Sequence, residues 1–167
     1  MSLIKAKKLS KQIEKKGNIN KNMVLTPIAQ GEKSNSNRDY NKQIIRRRNG
    51  DMHCWDDSKE NKALPGDLFA YVENSITIAP GMKTHGQIEI FEILNVYPTE
   101  FRLPEWSDNV GQGDRNVVEL SKDPIFKGTF KDFKESLGYS DRYNLQGTRY
   151  ISSKQLINYY ENILYKN

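Results

Sequence analysis

Two segments in the middle of the chain carry apolar side chains at alternating positions. In residues 66–74 one alternating set is aliphatic and the other aromatic: Leu68, Ala70 and Val72 against Phe69 and Tyr71. In residues 87–98 both sets are again partly apolar: Ile88 and Ile90 against Phe91 and Ile93. Alternation with apolar residues on both faces predicts strands that are buried on both sides or curled into a barrel.

The sequence around these two strands predicts further sheet. Residues 75–86 contain Pro80 and Gly81 and predict a hairpin connection between the two strands. Residues 116–121 and 148–152 are short, β-branched segments that predict two more strands.

Two helices are predicted in the C-terminal part of the chain. Residues 130–138 predict a short helix that ends at Gly138. Ser152 or Ser153 is a suitable N-cap for a final helix. Its expected buried stripe consists of Leu156, Ile157, Tyr160, Ile163 and Leu164.

The N-terminal quarter differs in composition from the rest. The chain has 167 residues, a length that predicts one domain. Residues 26–42 are rich in Ser, Asn, Gly and charge and have little to bury, which is typical of a linker. We therefore expect residues 1–42 to form a basic, flexible arm and linker, and residues 43–167 to form the folded domain.

Charge is divided unevenly between these parts. Residues 1–50 contain 13 basic and 3 acidic side chains, a net charge of +10, whereas residues 51–167 have a net charge of −5. A basic arm on a mildly acidic body indicates an electrostatic contact, most commonly with phosphates, although a solubilising tail has the same composition. The expected phosphate-binding residues are Lys7, Lys8, Lys15, Lys16, Arg46, Arg47 and Arg48.

Several classes of site have little support in the sequence. With one cysteine, Cys54, and two histidines, His53 and His85, no four-ligand zinc site forms without carboxylates. No run of about 18 apolar residues predicts a transmembrane helix, and no apolar stretch follows the N-terminal lysines as in a secretory signal. We expect no metal, no cofactor and no membrane contact, and an intracellular location in the cytoplasm or nucleus of a cell, or in a viral setting.

An enzyme acting on nucleic acid is the catalytic alternative. Metal-dependent nucleases often combine one Asp with a later Glu-x-Lys, and Asp67, Glu89 and Glu92 supply the acids. The lysine is missing, because Phe91 and Leu94 occupy its place. The glycines in residues 111–115 lack the surroundings of a phosphate-binding loop. The sequence therefore favours a protein without catalytic activity.

The two tryptophans, Trp55 and Trp106, both lie in polar, loop-like sequence. Tryptophan usually belongs to a core, but an exposed ring can stack on a base while Asn, Asp or Ser side chains bind the base edge. A methyl group on that base would add about 1 kcal/mol of apolar burial.

Four motifs occur in an order that resembles a known superfamily. They are GDLFAYVEN (66–74), HGQIEIFEILNVYP (85–98), TFKDFKESLG (129–138) followed by LQGTRYIS (145–152), and a closing helix (153–164). Together they resemble the PUA-like barrel superfamily, especially its EVE and YTH branches, over about residues 45–165. The tryptophan segments MHCWDDSKENKAL and LPEWSDN are similar to the two places that form a methyladenine cage in YTH domains.

The resemblance implies an α+β fold with a small, curved or barrel-like mixed β-sheet and a few flanking helices. It implies that Trp55 and Trp106 form the walls of a base-binding pocket. The other pocket residues would be Asp57, Asn61, Tyr71, Ser75 and Asn109. The expected function is a nucleic-acid-binding module that recognises a modified base in RNA or DNA. A structural or assembly protein whose basic arm binds a protein partner, and a nuclease-associated module, remain as alternatives.

Overall fold

A computed structural model describes residues 18–28, 44–45, 47–56, 63–98, 100–101 and 115–166. The strands in these ranges are β1 (Met23–Ile28), β2 (Ile44–Ile45), β3 (Met52–Asp56), β4 (Leu68–Glu73), β5 (Ile76–Ala79), β6 (Met82–Thr84), β7 (Gln87–Tyr97), β8 (Arg115–Leu120), β9 (Phe126–Thr129) and β10 (Arg149–Ile151). The helices are α1 (Phe130–Ser136) and α2 (Ser153–Tyr159), and α2 continues into a π-helical segment (Tyr160–Leu164).

Most strands belong to one mixed sheet in the order β10-β1-β4-β7-β8-β3-β2, with β9 also pairing with β7. The β1–β4 pair is parallel and the other pairs are antiparallel. The predicted α+β class, with a mostly β core and two short helices, is confirmed. The sheet does not close into a barrel, since no ladder among the described residues joins β2 or β3 to β10.

The sheet is nevertheless strongly curved. In the strand order β3 is three positions from β4, which would be about 14 Å in a flat sheet. Yet the ring of His53 on β3 lies 4.9 Å from the ring of Phe69 on β4, measured between centroids. The β8–β3 part of the sheet therefore folds back over β4.

The two faces of β4 pack into two different cores. Leu68, Ala70 and Val72 belong to a core completed by residues of α1 and α2. Phe69 and Tyr71 belong to the core on the opposite face, together with residues of β7 and β8. The alternation predicted for this strand is confirmed, and it follows from burial on both sides.

Strand β1 lies on the N-terminal side of the domain boundary expected at residue 43. Met23–Ile28 lies inside the sheet between β4 and β10, and Met23 and Leu25 have no exposed surface. Pro27 has no N–H to donate, and it lies beyond the end of the ladder to β10, which pairs only with Met23–Leu25. Residues 26–28 of the predicted linker (26–42) belong to β1, and the rest of that linker lies outside the described residues.

The predicted helices are present with one change at the C-terminus. Gly138 has a φ of 73° directly after α1, a left-handed conformation that favours glycine. Ser152 is the N-cap of α2. Both Tyr159 and Tyr160 are buried, on the same helical face as Leu156, whereas the predicted stripe included only Tyr160 of the two tyrosines. Within the described part of the chain, the helices are too short or too polar to cross a membrane.

Candidate nucleic-acid interface

The ladder between β3 and β8 pairs the end of β3, where Trp55 lies, with the start of β8, which follows the Trp106 segment in sequence. Trp55 is opposite Asn116, and Asp56 is opposite Arg115. The residue before segment 57–62 is therefore next to the residue after segment 102–114. Of the predicted pocket residues, Asp57, Asn61, Trp106 and Asn109 lie outside the described residues, and Trp55 is described by its backbone only.

His53 lies on β3 two residues before Trp55 and forms part of an aromatic cluster. Its side chain is buried between β3 and β4, with the Tyr71 ring 5.8 Å away in addition to that of Phe69. Burial disfavours the charged imidazolium and lowers the pKa of His53 to about 3. His53 is therefore neutral at pH 7 and behaves as an aromatic core residue.

Tyr71, which the resemblance placed in the pocket, is a core residue. Its side chain is 1% exposed, and its ring makes edge contacts with Phe69 and Phe91 at 5.6 and 5.5 Å. Neither face of the ring is available to stack on a base. The physical reason is the position of Tyr71 on a strand that is covered on both sides.

A stacked aromatic pair that the sequence did not suggest lies beside the same ladder. The rings of Tyr97 and Phe101 are 4.5 Å apart and inclined by only 22°. Both residues are half-buried. Tyr97 is opposite Val117, which is in turn opposite Cys54, so the pair lies two strands from the Trp55 backbone. Tyr97 falls at the end of an alternating segment, the only signal that could have indicated it.

Two of the predicted phosphate-binding residues are exposed at the other end of β3. Arg47 and Arg48 lie in the turn between β2 and β3, which is closed by a hydrogen bond from the Gly50 N–H to the Arg47 carbonyl at 3.2 Å. This turn holds two cationic side chains next to each other in solvent. Lys7, Lys8, Lys15, Lys16 and Arg46 lie outside the described residues.

Ser75 lies in a different place, at the start of the β5–β6 hairpin. Its N–H donates to Asn144 Oδ1 at 3.0 Å, and its hydroxyl lies 3.3 Å from His85 Nδ1. Lys134, buried in α1, donates to the Ser75 hydroxyl at 3.2 Å. Burial is the main cause that lowers the pKa of Lys134, and Asp141 partly opposes it. Ser75 therefore belongs to a polar cluster that the sequence did not predict.

The acids considered for a nuclease site have structural partners. The Asp67 carboxylate accepts hydrogen bonds from the N–H groups of Asn22 and Leu64 at 3.2 and 3.0 Å, and so connects the starts of β1 and β4. Glu89 forms an ion pair with Lys127 at 3.6 Å. No three His, Cys, Asp or Glu side chains among the described residues are arranged to hold a metal ion.

The candidate interface thus consists of an exposed arginine turn, an aromatic pair and the paired strand ends at Asp56 and Arg115. The PUA-like interpretation continues to rest on the sequence motifs. Comparison with known protein families and with curated proteins gives no match for this chain.

Proposed function

We propose that the protein is a nucleic-acid-binding module with a PUA-like fold, in which the two tryptophan segments bind one base and basic side chains bind phosphates. The observation that carries this proposal is the β3–β8 ladder. One end of it adjoins the Arg47–Arg48 turn, and the Asp56–Arg115 pair at its other end adjoins both tryptophan segments.

The length of β3 allows phosphate contacts at one end of the strand and a base contact at the other. Met52 and Asp56 are separated by about 13 Å at 3.3 Å per residue, which is the length of a few nucleotides. A single nucleic-acid strand that lies along β3 can then contact Arg47 and Arg48 through its phosphates, while one of its bases reaches the Asp56 end of β3. Phosphate contacts supply affinity that is blind to sequence, and the base pocket supplies selectivity.

The aromatic surroundings support a base-binding end. His53, two residues before Trp55 on β3, contacts the rings of Phe69 and Tyr71, so an aromatic core lies next to the proposed base-binding end. Neutral His53 places no charge next to the proposed pocket. Aromatic stacking contributes about 1–3 kcal/mol per base, with little dependence on sequence.

The phosphate contacts are tested by fluorescence anisotropy with labelled single strands of about 12 nucleotides, DNA and RNA, at salt concentrations from about 50 to 200 mM. The double variant Arg47→Ala/Arg48→Ala should bind more weakly than the wild type. Its slope of log affinity against log salt should be smaller by about 1.4, since each single-strand phosphate contact contributes about 0.7.

The matched control is Lys131→Ala/Lys154→Ala, which removes one exposed cation from each of the helices α1 and α2. This control should retain the wild-type slope, because the proposal gives these lysines no phosphate. Equal slopes for the two double variants would contradict the role of the arginine turn.

A protein-binding role is the second candidate, because the β5–β6 hairpin exposes large apolar side chains. Ile78 and Met82 are 65% and 60% exposed. Exposed apolar surface of this kind often marks a contact with another protein. An Ile78→Glu variant should leave nucleic-acid binding unchanged if the hairpin serves a protein partner, and the same variant should weaken any complex with that partner.

A further inference from the structure

Four side chains from four separate segments meet around the Ser75 hydroxyl. Ser75 follows β4, His85 follows β6, Lys134 lies in α1, and Asp141 lies in the segment after α1. The Ser75 Oγ is 3.2 Å from Lys134 Nζ and 3.3 Å from His85 Nδ1. On the other side of the imidazole, His85 Nε2 is 3.9 Å from Asp141 Oδ1.

The hydrogen bonds in this cluster have a consistent direction. Lys134 Nζ can only donate to the Ser75 oxygen, which leaves the serine hydrogen for an acceptor. His85 Nδ1 is that acceptor when the imidazole carries its proton on Nε2, and the Asp141 carboxylate near Nε2 favours this tautomer. The arrangement therefore has a hydroxyl, a base and a group that orients the base.

The backbone around Ser75 is fixed by two asparagines. Asn144 accepts from the Ser75 N–H and donates to the Ser75 carbonyl, at 3.0 and 3.1 Å. Asn74 makes the same pair of bonds with the backbone of Leu145, both at 2.9 Å. Lys134 is held by a further bond of 2.8 Å to the Asp141 carbonyl. The hydroxyl is thus positioned before any ligand arrives.

The cluster is also within reach of solvent. Ser75 and His85 are half-buried, and the Asp141 side chain is 61% exposed, whereas Lys134 lies beneath them at 1%. A buried cation below a partly accessible serine can stabilise the negative charge that develops when the serine oxygen attacks a carbonyl group.

We propose that Ser75 is an activated nucleophile that reacts with carboxylic esters, with His85 as its general base and Asp141 as a positioning residue. This inference goes beyond the proposed function, which needs no covalent step. The Ser75 Oγ forms a bond to the ester carbonyl carbon while its proton passes to His85 Nδ1. The carbon–oxygen bond to the alcohol then breaks, and the departing alkoxide takes that proton.

Water completes the reaction by the same route. It attacks the acyl-serine carbonyl, gives its proton to His85 Nδ1, and releases the carboxylic acid as Ser75 recovers its hydrogen. In both steps the negative charge of the tetrahedral intermediate lies on the former carbonyl oxygen. The Lys134 ammonium, which is 3.2 Å from Ser75 Oγ, stabilises this charge.

The proposal is tested on the full-length protein with a fluorophosphonate probe, which forms a phosphorus–oxygen bond to an activated serine and releases fluoride. Intact mass and peptide mapping should locate one adduct on Ser75. Because general-base catalysis contributes about 100-fold or more, His85→Gln should slow the labelling by at least that factor. Asp141→Asn should change the pH profile of the labelling rate, since it removes the group that selects the tautomer.

Ser121 is the matched control residue. It is also half-buried, and its hydroxyl is bound by the Glu92 N–H and the Asp123 carbonyl, without a titratable side chain. Ser121→Ala should label at the wild-type rate, and Ser75→Ala should lose the adduct. Wild-type protein that forms no adduct on Ser75, or labels Ser75 no faster than Ser121, would overturn the proposal and leave the nucleic-acid function untouched.

Discussion

Acidification should destabilise the protein through His53. The side chain is 2% exposed and packs between Phe69 and Tyr71, and burial lowers its pKa from 6.5 to about 3. Between these two values the unfolded chain binds a proton at His53 that the folded protein does not. Stability from this group is therefore complete above pH 6.5 and is lost progressively as the pH falls toward 3.

The size of the effect follows from the two pKa values. The free energy of unfolding should fall by less than about 1 kcal/mol at about pH 6 and by about 2 kcal/mol at about pH 5, relative to neutral pH. The loss should level off at about 5 kcal/mol below the folded pKa. A loss of 2 kcal/mol is a large fraction of the stability of a typical domain.

The assay is urea denaturation at about pH 7.5, 6 and 5, with the wild type compared with His53→Phe. Phenylalanine keeps an aromatic ring between Phe69 and Tyr71 but cannot bind a proton. The difference in unfolding free energy between the two proteins should change by about 2 kcal/mol over this range. A difference between wild type and His53→Phe that is constant with pH would refute the reasoning.

Three further substitutions test the packing by denaturant titration. Gly86→Ala should cost about 3 kcal/mol or more, because a Cβ there would lie 1.9 Å from the Glu73 carbonyl oxygen. The control Gly147→Ala should be neutral, because its Cβ would have no atom within 4 Å. Equal costs for the two substitutions would contradict this account. Ser152→Ala should cost about 1 kcal/mol, because it removes the hydroxyl from the capping box that Ser152 forms with Gln155 at the start of α2, and an unchanged midpoint would show that this box is dispensable. Asp67→Ala should cost about 2–4 kcal/mol, because two backbone N–H groups lose their acceptor, and a cost below that of Ser152→Ala would count against the role of the carboxylate.

The alternation of side chains along the sequence was sufficient to predict a strand whose two faces are both buried. The alternation in residues 68–72 predicted β4 and the partition of its side chains, because an extended chain sends neighbours to opposite cores. It did not predict β1, whose main support is parallel pairing with β4, a strand more than 40 residues away. It also missed the burial of Tyr159, because the predicted stripe took Ile157 instead, although Leu156, Tyr159 and Tyr160 have the i, i+3, i+4 spacing of one helical face.

The functional features were harder to predict for a similar reason. Ser75, His85, Lys134 and Asp141 come from separate segments, and only the fold brings them together. Tyr71 has the residue type of a pocket wall but the position of a core residue. In contrast, the exposure of Arg47 and Arg48 agreed with composition, because adjacent arginines rarely lie in a core.

Tryptophan fluorescence during titration with oligonucleotides tests the central claim most directly, because Trp55 and Trp106 are the only two tryptophans. The strands are DNA and RNA with unmodified adenine, N6-methyladenine or 5-methylcytosine, at a physiological salt concentration. The account predicts quenching that saturates at a lower concentration for one modified strand and disappears in Trp55→Ala or Trp106→Ala. Weak, salt-sensitive binding that ignores the modification and survives both substitutions would contradict it.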